Sequence, residues 1–335
     1  MTSQPAKAPQ RAGGGAVAVT PGTCRRIGVI LVPKFALISC SLIIEPLRSA
    51  NLVSGQQLYD WTLLSPGGGE IPSNSGIVLA TTALKEAAAA DFDLVLVCAG
   101  LDPEKYRAPA VENFLRRRLR HGGRIGAVST GGFILAAAGL LDGHRCTVHW
   151  DYKAAFQELY PALQASDELF VIDRQMATCA GGTAVLDMML QLITEQHHVE
   201  LARAVSEQFI HGATRDAQHR QRNELSYRLG TSNGTVIEAV ALMEAHLDAP
   251  LSPAALAKKL GSSQRQLERL FQKYLGCTPS QYNQGLRMER ARSLLRQTDR
   301  SITEIAITCG FSSASYFSTV YQRYFGCLPR NDRRL

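Results

Sequence analysis

Apolar and polar positions follow two alternating rhythms from residue 25 to about residue 200. Continuous apolar runs, "RIGVILV", "YDWTLLS", "FDLVLVCAG" and "RIGAVST", have the form of strands buried on both faces. Between them lie stretches with helical spacing: "SLIIEPLRSANLV", "TTALKEAAAA" and "AVENFLRRRLRHG". Further on, "RCTVHW" predicts a strand and "DYKAAFQELYP" a helix. "LFVID" and "QMATCAG" predict two more strands, and a long helix is expected from about Thr183 to His197. Such alternation predicts a mainly parallel sheet covered by helices on both sides, with ligands beyond the carboxyl ends of its strands.

The rhythm changes after residue 200. "FIHGATRDAQHRQRNELSYRLGTSNG" (209–234) has few large apolar residues and many charges, and reads as a partly helical linker. From 233 onward the spacing is purely helical, and one unit occurs twice. "LAKKLGSSQRQLERLFQKYLGCTP" (256–279) is matched by "IAITCGFSSASYFSTVYQRYFGCLP" (305–329), the second copy carrying one inserted residue, Phe311. Each copy predicts a short helix, a glycine turn (Gly261, Gly310) and a longer helix closed by Gly and Pro, with Ser262 and Ser312 as expected caps. This is a helix-turn-helix pattern. The apolar stripe of "PSQYNQGLRMERARSLLRQ" predicts a helix holding the two copies rigidly apart.

Charge sharpens the second half. Residues 233–335 hold 14 Lys/Arg against 8 Asp/Glu, a net +6, whereas residues 1–232 hold 22 against 21. A small basic domain on a near-neutral body points to a phosphate-bearing partner. On the second helix of each copy, the residues not needed for packing are candidate readers of double-stranded DNA. They are Ser263, Gln264, Arg265, Arg269, Gln272 and Lys273 in the first copy. In the second they are Ser313, Ser315, Tyr316, Thr319, Gln322 and Arg323. Gln and Arg suit bidentate contacts to base edges, and Lys suits phosphate. The second copy is poorer in charge, which predicts weaker direct readout.

Eight cysteines include no C-x-x-C pair and no His/Cys cluster with metal-ligand spacing, and several sit in apolar runs. Buried free thiols and a reducing cytoplasm are expected, with no metal and no cofactor. No apolar run approaches the ~20 residues that span a bilayer, so no membrane association is expected. Residues 1–24, rich in Pro, Gly and Ala, read as a disordered tail.

The first half carries its candidate chemistry in "RIGAVSTGGFILAAAGL" (124–140). A strand stops at Ser129, a small-residue turn follows, and a helix begins, which is the layout of a nucleophile elbow. His149 and Asp151 complete a conceivable Ser129–His149–Asp151 relay. The alternative makes Asp151 a helix cap and Ser129 part of a ligand pocket. On that alternative, backbone N–H groups near Thr130 and Gly131 would meet a carboxylate, Trp150 a cationic headgroup, and Glu45 would supply negative charge. Trp150 as core and Glu45 paired with Arg48 are the corresponding structural readings.

"GFSSASYFSTVYQRYFGCLP" and "LAKKLGSSQRQLERLFQKYLGCTPSQY" resemble the two motifs of AraC/XylS-type transcriptional regulators. The resemblance implies seven helices and two motifs reading successive major grooves; Leu328 departs from the usual Ser/Thr before the last Pro. "GAVSTGGFILAAAGLLDGHRCTVHW", "IIEPLRSAN" and "CAGGTAVLDMML" resemble the PfpI/class I glutamine-amidotransferase-like superfamily. The expected fold is therefore an α/β flavodoxin-like sandwich (25–200), a linker (201–232) and an all-α DNA-binding domain (233–335). Together the halves are similar to the GlxA-type branch of AraC regulators, in which the amidotransferase-like domain serves as effector sensor. Catalytic relatives carry Cys where Ser129 stands and an acidic residue where Ser39 stands, which implies a non-catalytic sensor. Ser39, Glu45, Ser129, Thr130, His149 and Trp150 are its candidate ligand contacts. The resemblance further implies an activator answering to a betaine-, carnitine- or arginine-like metabolite, a homodimer, and RNA polymerase as a partner. The competing expectation is a Ser129-dependent amidase, hydrolase or deglycase tethered to DNA.

Overall fold

The computed structural model describes residues 24–102, 106, 109–222 and 225–333. The expected tail lies outside these residues, except for Cys24. The amino-terminal half is built on an eight-stranded sheet. Its strands are β1 (Arg25–Leu31), β2 (Tyr59–Ser65), β3 (Gly69–Pro72), β4 (Val78–Ala83), β5 (Leu94–Cys98), β6 (Arg124–Val128), β9 (Phe170–Asp173) and β10 (Met176–Cys179). β7 (Cys146–Thr147) and β8 (Ala165–Ser166) pair separately. The sheet order is β3-β4-β2-β1-β5-β6-β10-β9, parallel throughout except for the antiparallel edge strands β3 and β9.

Strand periodicity divides the core between two layers. Val29, Leu31, Leu96 and Cys98 point to the face covered by α1 (Leu37–Ser54), α5 (Ala184–Gln196) and α6 (Val199–Gln208). Ile30, Val95, Val97 and Ile125 point to the face covered by α2 (Pro109–Arg120), α3 (Gly132–Ala137) and α4 (Lys153–Leu159). This is the mainly parallel sheet covered on both faces that the alternation predicts, arranged as the flavodoxin-like sandwich that the resemblance implies.

Three local expectations are corrected. "TTALKEAAAA" is not a helix: Thr81 and Thr82 belong to β4, and turns follow. Thr81 is tied across the sheet edge, its Oγ1 donating to the Gly69 carbonyl at 2.8 Å and lying 2.7 Å from Ser65 Oγ. The remaining Ala/Lys/Glu stretch is too short to hold a helix by propensity alone. "RCTVHW" contributes only the two residues of β7 to a strand. The first half also continues past residue 200. α6 buries Leu201, Ala202 and Val205 against α1 and α5.

The segment after α6 is strapped to the sandwich. Asp187 on α5, fully buried, accepts from the Arg215 backbone N–H (2.8 Å) and pairs with its guanidinium (2.7 Å). The Gln221 amide donates to Thr147, Val148 and Glu168. A short helix, α7 (Leu225–Leu229), then leads into seven helices: α8 (Gly234–Ala245), α9 (Pro253–Lys259), α10 (Gln264–Leu275), α11 (Pro279–Gln297), α12 (Ile302–Thr308), α13 (Ala314–Phe325) and α14 (Pro329–Asp332). They form two small cores, one around Leu267 and Phe271 and one around Phe317 and Tyr321, with α11 between them.

Candidate functional site

The two helix-turn-helix units repeat in detail. α9 and α12 are capped by Ser252 and Ser301, and α10 and α13 end at glycines in left-handed conformation, Gly276 (φ 68°) and Gly326 (φ 74°). The expected caps at Ser262 and Ser312 are displaced by one residue. Ser263 Oγ accepts the Gln266 N–H and Ser313 Oγ accepts the Tyr316 N–H, both at 3.2 Å. Buried Leu267 and Phe317 fix this phase, four residues beyond each cap. Ser263 and Ser313 thus cap their helices and keep a hydroxyl proton to donate.

All twelve candidate readers, from Ser263 to Lys273 and from Ser313 to Arg323, are exposed. Gln264 leans on Glu268 (3.1 Å), and Lys273 lies over the Tyr274 ring. α13 presents exposed Tyr316 and Tyr324 among hydroxyls, so the two reading faces differ in chemistry. The 19 residues of α11 span roughly 28 Å at 1.5 Å per residue, which is shorter than the about 34 Å of one duplex turn.

α11 is bolted to the second unit. Arg287 donates to the carbonyls of Cys309 (2.7 Å) and Gly310 (2.6 Å), and its guanidinium covers the inserted Phe311 at 3.9 Å. Gly310 has φ 71°, and a Cβ there would lie 2.8 Å from the Asp248 carbonyl, so this turn can press onto the 247–250 loop only as glycine. Asp332, also fully buried, accepts from Tyr321, Arg292 and Arg296 and closes the end. Leu328 makes no side-chain cap for α14, whereas its counterpart Thr278 forms a capping box with Gln281.

In the sandwich, Ser129 takes φ 60°, the strained backbone of an elbow, at the carboxyl end of β6. Its surroundings are closed. Ser129 is 8% exposed, Thr130 1% and Ser39 0%. Thr130 Oγ1 donates to the Gly100 carbonyl (2.7 Å), and the Gly131 N–H is used by the Val128 carbonyl. A Cβ on Gly181 (φ 96°) would sit 2.8 Å from Ser129 Cβ, and the next N–H, of Gly182, donates to Ser39 Oγ (3.1 Å). Ser129 therefore packs against Gly181 and Ser39 is bonded to the adjoining Gly182.

The relay is not formed. His149 meets Ser129 through the backbone, its N–H donating to the Ser129 carbonyl at 3.4 Å. Its ring Nδ1 accepts the Asp151 backbone N–H (3.3 Å). A triad needs the opposite, an Nδ1–H held by a carboxylate. His149, not Asp151, is thus the cap of the Trp150–Tyr152 turn. Burial pushes the His149 pKa below its ordinary value. Cys179, whose carbonyl accepts the Ser129 N–H, is fully buried and its thiol is pushed up to about 12 by desolvation, which leaves it inert as a nucleophile. Glu45 is paired on the surface with Arg48 (2.8 Å).

Trp150 is 43% exposed, with the Arg222 guanidinium 4.8 Å above its ring. A cation does face the indole, then, and it is the protein's own. Charged residues of the linker gave no local signal for this contact. Nearby, the Asp151 carbonyl accepts from Ser293 (3.1 Å) and Glu158 pairs with Arg300, joining the 3-10 turn and α4 to α11 and the residues after it. Among the described residues, no cluster of three or more His, Cys, Asp or Glu could hold a metal, and no helix is long and apolar enough to cross a membrane. The cysteines are free.

Comparison with known proteins covers both halves. The DJ-1/PfpI family pattern matches residues 25–195, and a helix-turn-helix domain pattern matches residues 256–335. The HTH-type transcriptional regulator GbdR of Pseudomonas aeruginosa is 46% identical over 92% of this chain and 84% of its own length. The HTH-type transcriptional regulator GlxA of Rhizobium meliloti is 40% identical over 92% of this chain and 96% of its own. The crystal structure of an AraC family transcriptional regulator from Pseudomonas putida superimposes with a TM-score of 0.51 at 28% identity. It covers 55% of this chain and 99% of its own.

Proposed function

The chain belongs to the GlxA/GbdR-type AraC family of DNA-binding transcriptional regulators, with a DJ-1/PfpI domain ahead of the helix-turn-helix domain; from that premise we propose that it is a ligand-responsive activator whose sandwich is a sensor and not an enzyme. A small zwitterionic or cationic metabolite, of the betaine, carnitine or arginine kind, binds the sandwich beyond the carboxyl ends of its strands. Binding biases the arrangement of the two reading helices on DNA. The protein acts in the cytoplasm as a homodimer, recruiting RNA polymerase.

One observation carries this reading: every candidate reader on α10 and α13 is exposed, while Thr130 and Ser39 at the elbow are turned inward and bonded. The first arrangement suits a partner that desolvates the surface on contact. The second does not present the Ser129–His149–Asp151 relay, because His149 Nδ1 accepts a backbone N–H where a relay needs it to donate to the carboxylate. The test is a gel shift of the full chain across a salt series, with a promoter-derived duplex against random duplex. Specific binding with a steep salt dependence is expected. Equal affinity for both duplexes at every salt concentration overturns the assignment of readers.

The strained elbow favours one competing reading, hydrolysis at Ser129. An activated-serine probe that labels the native protein and not Ser129→Ala would establish it.

A further inference from the structure

The two reading helices are copies of one plan, so they can be compared position by position. Leu267 in α10 and Phe317 in α13 hold the same place: each is fully buried, and each lies four residues after a serine cap, Ser263 or Ser313. At 3.6 residues per turn, the positions two before and two after that anchor lie roughly 160° away from it, on the outward face. They are Arg265 and Arg269 in the first copy and Ser315 and Thr319 in the second, all exposed. Three residues further along the same ridge the copies agree again, with exposed Gln272 and Gln322. One frame therefore carries two different sets of side chains.

The difference is in what each ridge has left to offer. On α10 the neighbouring carboxylate, Glu268, is engaged by Gln264 at 3.1 Å, and the two arginines keep their forks of N–H donors for a partner. Such a fork fits the O6 and N7 acceptors of guanine. On α13 the hydroxyl protons are turned back into the helix. Thr319 Oγ1 donates to the Ser315 carbonyl at 3.1 Å, and Ser318 Oγ donates to the Ala314 carbonyl at 2.8 Å. The bond spends the Thr319 proton and fixes its rotamer. Its methyl group remains to be presented. A methyl held in place on a reading ridge fits the 5-methyl of thymine, the apolar feature among the base edges of the major groove.

We propose that Thr319 is a specificity-determining residue that selects thymine through its methyl group, so that α13 reads a thymine where α10, with Arg265 and Arg269, reads guanine. The operator then consists of two unlike half-sites and not of one sequence repeated. This deepens the DNA-reading assignment and rests on it.

The full chain is used to enrich bound duplexes from a random pool, and the enriched sequence is then varied in competition gel shifts. The half-site of α10 is the one whose guanine preference relaxes in Arg265→Ala. In the other half-site, replacing the selected thymine by uracil removes only the methyl group and keeps the base pair. That exchange is expected to weaken binding about fourfold, the worth of one buried methyl at about 0.8 kcal/mol. Thr319→Ser, which keeps the hydroxyl, is expected to bind the thymine and uracil duplexes alike. Thr319→Val, which keeps a methyl and loses the hydroxyl, is expected to retain the discrimination. Thr319 is exposed, so both variants should melt with the parent protein. Discrimination that survives in Thr319→Ser overturns the proposal. So does discrimination lost in Thr319→Val, because the hydroxyl is then the reader. Two identical half-sites, or an enriched sequence indifferent to uracil, overturn it as well and leave sequence reading standing. A pool that yields no enriched sequence removes the reading assignment itself.

Discussion

The elbow and the reading helices hold the same kinds of residue in opposite states. Around the elbow, Ser39, Thr130 and His149 have their hydrogen bonds made inside the protein. On α10 and α13, serines, glutamines and arginines stand in water. A buried, satisfied hydroxyl is committed, and recruiting it to a ligand costs the bond it already makes. An exposed arginine loses only hydration and gains a phosphate or base edge in return. Residue type alone therefore says little about availability; burial and existing bonds decide it.

The largest effect that would test this contrast lies on the first reading helix. Replacing Arg265 and Arg269 together by Ala should cost about 1–3 kcal/mol per base-reading residue in affinity for the specific duplex. The melting temperature should hardly move. Competitive gel shifts and thermal unfolding measure the two. Equal loss on random duplex would reduce both arginines to phosphate contacts.

The converse substitution belongs at the elbow. Thr130→Val keeps shape and strands the Gly100 carbonyl, at a cost of about 1–2 kcal/mol in a urea melt. DNA affinity of the folded protein should stay the same. A reversed pattern, weak on stability and strong on DNA, would break the comparison.

Acid should expose the same inward commitment. His149 titrates lower in the folded protein than in the unfolded chain because burial disfavours its charge. The unfolded chain then binds more protons below about pH 6.5, so stability holds above that pH and declines as pH falls toward the folded value. His149→Gln should flatten that part of the profile, read as denaturant midpoint against pH.

The smallest expected effect is at the residue with the most suggestive position. Ser129→Ala should change stability by less than about 0.5 kcal/mol, since its hydroxyl adds little where its backbone does the bonding. An activated-serine probe should label neither form. Labelling of the native protein at Ser129 would make the elbow an available site after all.

Much of the fold was legible because it rests on short-range rules. Two-faced apolar strands, helical stripes, glycine stops and the duplicated unit each announce themselves within a few residues. What failed was local pattern without a partner in view. "TTALKEAAAA" has helical composition, but Thr81 is claimed by the sheet edge. Residues 209–222 look like free linker, but Asp187 and Thr147 hold them down from far along the chain. The displaced caps at Ser263 and Ser313 show the same limit at the scale of one residue.

The sequence by itself determined the architecture and the paired helix-turn-helix units, since these follow from periodicity and repetition. Only the tertiary structure decided which polar groups remain free. It turned His149 toward a backbone N–H, set Ser129 against Gly181 and bonded Ser39 to Gly182, and laid Arg222 on Trp150. Those outcomes depend on which distant residues share a surface, and hydrogen bonds and cation–π contacts act only over a few ångströms.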